Sequence, residues 1–179
     1  TVYFLRRVIE PAYSDDLSPG YVNQDADLVW LDSELIASRS IRCKETLREL
    51  GSDPPTYEVL AMAAEYRGRF ALDFSYEDWA TVHRESLHAR YLEVMERAIA
   101  ATSAAGHFAD AMELSRATLE IDPTLDHIQA SLVKFYSFLG AHAAAAEQYQ
   151  HYSTIMREEL GAEPLPLDQL QSRVHRDAV

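Results

Sequence analysis

The feature that most constrains the fold of this chain is an internal repeat in its C-terminal half. Gly106 and Gly140 lie 34 residues apart, and the same offset places Ala111 on Ala145. Each glycine precedes a helical pattern whose small residues would permit close packing against the helix before it. Helix pairs of this kind cannot bury their own apolar stripes, so each pair needs neighbours on both sides. The offset therefore predicts an all-α fold in which helix pairs stack into an array.

A period of 34 residues is that of tetratricopeptide repeats (TPR). The first copy has the expected residue type at each position of the repeat. The turn glycine, the aromatic residue, the small residue, the apolar residue and the terminal proline are, in that order, Gly106, Phe108, Ala111, Leu119 and Pro123 of Asp122-Pro123. In the second copy, His142 replaces the aromatic residue and Arg157 stands where the proline is expected. Two copies are fewer than an independent solenoid usually needs, so we expect the helices before and after them to act as flanking layers of a TPR-like array.

The start of the chain predicts the end of a helix, followed by a β-hairpin. An amphipathic stripe closed by Pro11 indicates the helix end. The stripe consists of Val2, Leu5, Val8 and Ile9. Two short apolar runs, 20–22 and 28–31, are separated by polar residues and predict a small hairpin.

After the hairpin the pattern is almost purely helical. We expect a helix capped by Asp32 or Ser33 to end at Gly51, and a short helix to run from Tyr57 to near Gly68. A long helix then precedes the first repeat glycine. Its predicted apolar face consists of Trp79, Val82, Leu87, Tyr91, Val94, Met95, Ala98 and Ile99.

Charge and composition exclude several classes of function. The net charge of -13 is spread along the chain, so a nucleic-acid backbone would mostly meet like charge. No apolar run approaches the roughly 20 residues that a membrane-spanning helix needs. Cys43 is the single cysteine, which excludes an internal disulfide. We therefore expect a cytoplasmic protein without a membrane partner.

Catalytic and metal-binding motifs are not found in the sequence. It has no nucleophile elbow, phosphate-binding glycine loop, H-E-x-x-H motif or kinase motif, so we predict no enzyme, no catalytic residue and no cofactor. His83 and His88 are five residues apart, whereas paired metal ligands on a helix prefer separations of three or four. The other histidines are expected to be solvated or packed, and no metal site is predicted. They are His107, His127, His142, His151 and His175.

A cluster of aspartates near the start could suggest a calcium loop. Its members are Asp15, Asp16, Asp25 and Asp27. They lack the spacing of such a loop, and we expect them to hold a solvated turn.

The order of several motifs resembles the bacterial transcriptional activator domain of AfsR-like and SARP-type regulators. Residues 5–11 (LRRVIEP) are similar to the end of that family's winged-helix recognition helix, and 21–31 to its wing hairpin. Residues 29–32 (VWLD) resemble the entry into the helical domain. Further similarities are the loop 66–70 (YRGRF), Trp79 with Arg84, Asp122-Pro123, and 157–164 (REELGAEP).

The resemblance implies a domain organisation and a role. Residues 1–32 would be the C-terminal remnant of a winged-helix DNA-binding domain, 33–165 the TPR-like activator domain, and 166–179 a C-terminal helix or tail. The first helices of the winged domain would precede Thr1, so DNA would be bound only in the intact protein. Arg6 and Arg7 would then contact DNA, the alternative being that they are solvated helix residues.

Three tyrosines near the inner helices of the repeats are candidates for a partner surface: Tyr136, Tyr149 and Tyr152. Solenoids expose concave binding surfaces, and aromatic residues are enriched at interfaces. Core packing is the alternative role for each ring.

We therefore predict an all-α, TPR-like helical repeat array with a small N-terminal hairpin that is a remnant of a winged helix. Its function is that of a regulatory and protein-interaction module, acting through a protein partner or self-association, in a bacterial transcription regulator. The alternative is a free-standing TPR adaptor or scaffold without a DNA role. A basic helix-turn-helix upstream of Thr1 would distinguish the two.

Overall fold

Eight α-helices and one β-hairpin make up the described part of the computed structural model, which comprises residues 2–14, 17–52 and 54–172. The chain divides into two compact units, Thr1–Glu45 and Thr46–Val179. The mostly helical fold with a small N-terminal hairpin confirms the predicted fold class. No helix within the described ranges is both long and apolar enough to cross a membrane.

The first unit contains helix α1 (Val2–Ile9) and the strands β1 (Val22–Asp25) and β2 (Leu28–Leu31). The strands pair antiparallel, with Val22 opposite Leu31 and Asp25 opposite Leu28. A two-residue turn joins them, in which Ala26 has a positive φ of 42°. The hairpin and its second strand are therefore as predicted, whereas the first strand lies mostly in the polar stretch that was expected to separate the runs.

Helix α2 (Arg39–Glu49) begins later than predicted, and the boundary between the units falls within it. Asp32 does act as a cap, since its Oδ1 accepts hydrogen bonds from the backbone N–H groups of Glu34 and Leu35, but it caps only a single turn. Ser38 directly precedes the helix, and its carbonyl accepts the first helical bond from Arg42. Serine is a preferred N-cap residue, so the prediction of Asp32 or Ser33 was wrong by about one and a half turns.

The second unit is helical throughout. After α3 (Thr56–Glu65) and a 3-10 turn (Leu72–Phe74) come five helices, which are α4 (Asp78–Ala104), α5 (Phe108–Ile121), α6 (Asp126–Phe138), α7 (His142–Glu158) and α8 (Leu167–Ser172). Helix α5 packs on α3, α4 and α6, while α6 also packs on α7 and α8. Short connections between packed neighbours make α4–α5 and α6–α7 helical hairpins.

The two repeat glycines have the same local structure. Gly106 has a φ of 76° and Gly140 a φ of 72°, both in the left-handed region that glycine adopts without strain. After α4, the N–H groups of Gly106 and His107 donate to the carbonyls of Ser103 and Thr102.

After α6, Gly140 and Ala141 donate to the carbonyls of Ser137 and Tyr136 in the same pattern. Each set closes a Schellman motif, which satisfies carbonyls at the helix end. The 34-residue offset therefore repeats a helix end and the start of the next helix.

The buried face of α4 differs from the prediction in its first two turns. Trp79 and Val82 are 59% and 75% exposed, whereas Ala80, Arg84 and His88 are buried. The buried residues after them are those predicted, from Leu87 to Ile99. A stripe through Ala80 and Arg84 keeps the helical spacing to Leu87 and His88, and Trp79 lies one position off it.

The C-terminal end of the chain packs back on the array. Leu170 of α8 is buried in a cluster with Ala130 and Val133 of α6 and Tyr152 and Met156 of α7. Residues 173–179, which belong to the predicted C-terminal helix or tail, lie outside the described residues.

Candidate functional site

The two arginines predicted to contact DNA have intramolecular partners within the first unit. The Arg6 Nε donates to the Val22 carbonyl at 3.0 Å, which ties α1 to β1. The Arg7 guanidinium donates to the Pro11 carbonyl and, at 3.2 Å, to the Tyr3 hydroxyl. Arg6 is half-buried and Arg7 exposed, so of the two Arg7 presents more of its cation to solvent.

The three candidate tyrosines lie at three different depths. Tyr136 is half-buried, and its hydroxyl accepts a hydrogen bond from Arg116 of α5. Tyr149 is half-buried against the cluster around Leu170. Tyr152 is 2% exposed and its hydroxyl accepts the Leu165 N–H, so it has the alternative role of core packing. The partner surface stays a prediction for Tyr136 and Tyr149.

A groove of about 680 Å³ lies between the C-terminal half of α4 and α6. These are the first helices of the α4–α5 and α6–α7 hairpins. Its lining combines apolar and polar side chains, namely Glu96, Ile99, Ala100, Ser103, Ala104, Phe108, His127, Ile128, Ser131, Lys134, Phe135 and Phe138, with Gly106 at one end.

One part of the groove is aromatic and another is charged. The rings of Phe108 and Phe138 stack at 4.4 Å between centroids, and Phe135 lies 6.1 Å from Phe108. Nε2 of His127 and Oε1 of Glu96 are 3.0 Å apart and join α6 to α4. An aromatic surface with a few polar groups beside it is a typical binding site for a protein segment.

Arg84 fixes the backbone loop that precedes α4. Its side chain is buried, and Nη1 donates to the carbonyls of Phe70 at 3.3 Å and Ala71 at 2.8 Å. Nη2 donates to the Ser75 carbonyl at 3.4 Å and the Thr81 hydroxyl at 3.0 Å. The Arg84 guanidinium thus donates to three carbonyls of an irregular segment, of which that of Ala71 also accepts the Phe74 N–H.

A second polar cluster joins α3, α4 and the end of α5. Nδ1 of buried His88 is 2.9 Å from the Tyr66 hydroxyl, and its Nε2 is 3.7 Å from Oδ2 of Asp122. Nε2 has no hydrogen-bond partner among the described residues. Arg69 lies 3.8 Å from the same carboxylate oxygen.

Burial lowers the pKa of His88 below its ordinary value, and the neighbouring Arg69 cation lowers it further, while the Asp122 carboxylate opposes both. Burial alone would raise the pKa of Asp122. Hydrogen bonds from the hydroxyl and N–H of Thr124, together with His88 and Arg69, nevertheless bring it below its usual value. Asp122 is therefore ionised at neutral pH and His88 is neutral.

The helical unit coincides with a family match. A profile of the family described as "Bacterial transcriptional activator domain" matches residues 40–175, three quarters of the chain. The chain belongs to this family. Neither a curated protein nor a solved structure matches it significantly.

Membership of the bacterial transcriptional activator domain family assigns a regulatory role to the second unit, which contains the groove and the loop that Arg84 fixes. Within the described ranges, no group of three or more His, Cys, Asp or Glu side chains is placed to hold a metal ion. Asp15, Asp16 and His175 lie outside those ranges.

The phenylalanines of the groove were not among the predicted site residues. Phe135 and Phe138 are one helical turn apart, a spacing that places them on one face of α6. Because the same spacing is common in buried cores, it did not distinguish a groove wall from packing. Arg84 was found only through the family motif, since a lone arginine carries no sign of the carbonyls it binds.

Proposed function

We propose that this chain is the protein-interaction and control module of a bacterial transcription regulator. The observation that carries the proposal is the family match, which covers the whole helical array from α2 to α8. The groove between α4 and α6 is the proposed contact surface. It would receive a segment of a protein partner that places apolar side chains against Phe108 and Phe138, which are both half-buried.

We further propose that the first unit is the C-terminal part of a winged-helix domain, of the kind found in AfsR-like and SARP-type regulators. Helix α1 has no buried residue, and all four residues of β2 are exposed. Phe4 is 72% and Val8 78% exposed. An apolar helix and strand that lie open to solvent fit a domain whose other helices cover them.

In this proposal the DNA-binding role of Arg7 belongs to the complete winged domain, and the regulator works in the bacterial cytoplasm, where the chromosome is. The predicted division at 32/33 and 165/166 is part of the same proposal. TPR-like stacking would place the groove on a concave surface, because the inner helices of such arrays line one surface.

A chromosomal experiment distinguishes a regulator from an adaptor. The gene is tagged in its own locus, and the protein is immunoprecipitated with cross-linked DNA, while mRNA is measured in a deletion strain. We expect discrete promoter regions in the precipitate and altered transcripts from those promoters in the deletion strain. A protein that enriches no promoter, or whose bound promoters keep unchanged transcript levels, would support the adaptor and refute the proposal.

A further inference from the structure

The loop before α4 and the first turns of that helix carry a cluster of exposed apolar side chains, which we call the aromatic patch. It consists of the exposed Leu72, Phe74, Tyr76, Trp79 and Val82 together with the half-buried Phe70. Tyr76 is 100% exposed, and Leu72, Phe74, Trp79 and Val82 are all more than half exposed. Soluble proteins seldom leave such a contiguous group open to water unless something binds it.

Three rings of the aromatic patch, those of Phe70, Phe74 and Trp79, are in contact. Trp79 lies 5.6 Å from Phe74 and 6.4 Å from Phe70 between ring centroids. Phe70 in turn meets His83 edge to face at 4.8 Å. Phe70, Phe74 and Trp79 therefore form one continuous aromatic surface, and Tyr76 stands free in solvent between Phe74 and Trp79 in the sequence.

The backbone beneath the patch is held in place. Arg84 binds the carbonyls of Phe70, Ala71 and Ser75, which bracket the 3-10 turn. Ala71 is held at a φ of 51°, a left-handed conformation that alanine rarely adopts. A partner would meet a surface that is already ordered, which reduces the entropy lost on binding.

The charge around the patch specifies the kind of partner. Residues 70–83 contain Asp73, Glu77 and Asp78 but no Lys or Arg. All three carboxylates are exposed, and none forms an ion pair with a basic side chain in the described part of the chain. Carboxylates beside open aromatic faces favour Arg or Lys, because ion pairs and cation–π contacts then act together.

We propose that the aromatic patch docks a basic amphipathic segment of a protein partner, with apolar side chains against Phe74 and Trp79 and Arg or Lys against Tyr76 and the three carboxylates. A second copy of the chain does not fit this surface, since its own patch would bring like charges together. The patch lies at the start of α4 and the groove at its end, about 30 Å apart by helical rise. The proposal is independent of the groove.

The test uses the 179-residue chain and a labelled 18-residue helical peptide, with Leu along one face and Arg flanking it. Binding is measured by fluorescence anisotropy at physiological ionic strength, where charges beyond about 8 Å are screened. We expect Tyr76→Ala, and separately D73N/E77Q/D78N, to weaken binding about tenfold. Tyr76 is fully exposed, so its loss leaves the fold intact.

Two matched controls keep the test specific. Tyr57 is also an exposed tyrosine beside a carboxylate, and Tyr57→Ala should change the affinity less than about twofold. E113Q/E120Q/E147Q removes three carboxylate charges outside the patch and should likewise have little effect on the affinity. A peptide with Glu in place of Arg should not bind.

The proposal is overturned if the Arg peptide does not bind, if the control variants lose as much affinity as the patch variants, or if the Glu peptide binds equally well. It is also overturned if sedimentation equilibrium shows a dimer that Tyr76→Ala dissociates, because the occupant would then be a second copy.

Discussion

Arg84 is the residue on which the structure before α4 most depends. Replacing it with Met keeps a similar apolar stem but leaves the carbonyls of Phe70 and Ser75 without a donor, and that of Ala71 with only the Phe74 N–H. We expect Arg84→Met to lower the free energy of unfolding by about 2–4 kcal/mol, since buried polar groups would lose their partners. Urea denaturation followed by far-UV circular dichroism measures this.

The matched control is Arg90→Ala on the same helix. The Arg90 side chain is partly exposed and pairs with that of exposed Glu93 at 2.7 Å, so its removal should change stability by no more than about 0.5 kcal/mol. Equal losses in the two variants would show that the buried carbonyl contacts do not contribute as we infer.

His88 predicts a pH dependence of stability. Because burial lowers its pKa in the folded state, the unfolded chain binds a proton more readily as the pH falls through about 6.5. The contribution of neutral His88 to the free energy of unfolding is fully present above that pH and decreases below it. The free energy of unfolding should therefore fall less between pH 7.5 and 5.5 in His88→Gln than in the wild type.

Exposed His151 provides the comparison for this pH effect. His151→Gln should lose as much stability on acidification as the wild type. If His88→Gln and the wild type have the same pH dependence, His88 is not the group that takes up the proton.

At the scale of elements, the two Schellman ends should respond alike to mutation. Gly106→Ala and Gly140→Ala each force a side chain into the left-handed region and should each cost about 1 kcal/mol. No atom lies within 4 Å of a Cβ added at either position, so backbone strain is the only cost.

Gly51→Ala separates strain from the mere loss of glycine. Gly51 does not have a positive φ, and its added Cβ would also meet open space. This variant should be neutral or more stable by a few tenths of a kcal/mol, because alanine restricts the unfolded chain. Chemical denaturation of all three variants would contradict the account if Gly51→Ala were the most damaging.

The elements show what the sequence could predict and what it could not. The repeat, the hairpin and the ends near Gly51, Gly106 and Gly140 follow from local rules about turns and periodicity. The exposure of Trp79 does not, because it depends on Arg84 taking the buried position at the start of α4. Arg84 is buried only because a distant loop supplies carbonyls for it, and such tertiary partners leave no periodic pattern.

The candidate site was harder to predict for the same reason. Tyr152 and Phe138 both belong to amphipathic helices of the repeats, yet one packs under α8 and the other lines the groove. Which side of a helix meets a neighbour is decided by the order in which helices stack. Residue type alone could nominate aromatic candidates but could not place them.

At the scale of the whole molecule, control of transcription is proposed to pass through the groove between α4 and α6. Ala104 is exposed on the groove wall, and Ala104→Trp would fill the space beside Phe108 and Phe138 without disturbing the core. Ala146 is exposed on α7 and does not line the groove, which makes Ala146→Trp the matched control.

The most direct test is to measure mRNA in cells that carry Ala104→Trp, Ala146→Trp or a deletion at the chromosomal gene, with protein levels checked in each. If the groove transmits control, Ala104→Trp reproduces the transcript changes of the deletion, while Ala146→Trp matches the wild type. A normally abundant Ala104→Trp protein that leaves the transcripts at wild-type levels would contradict this role of the groove.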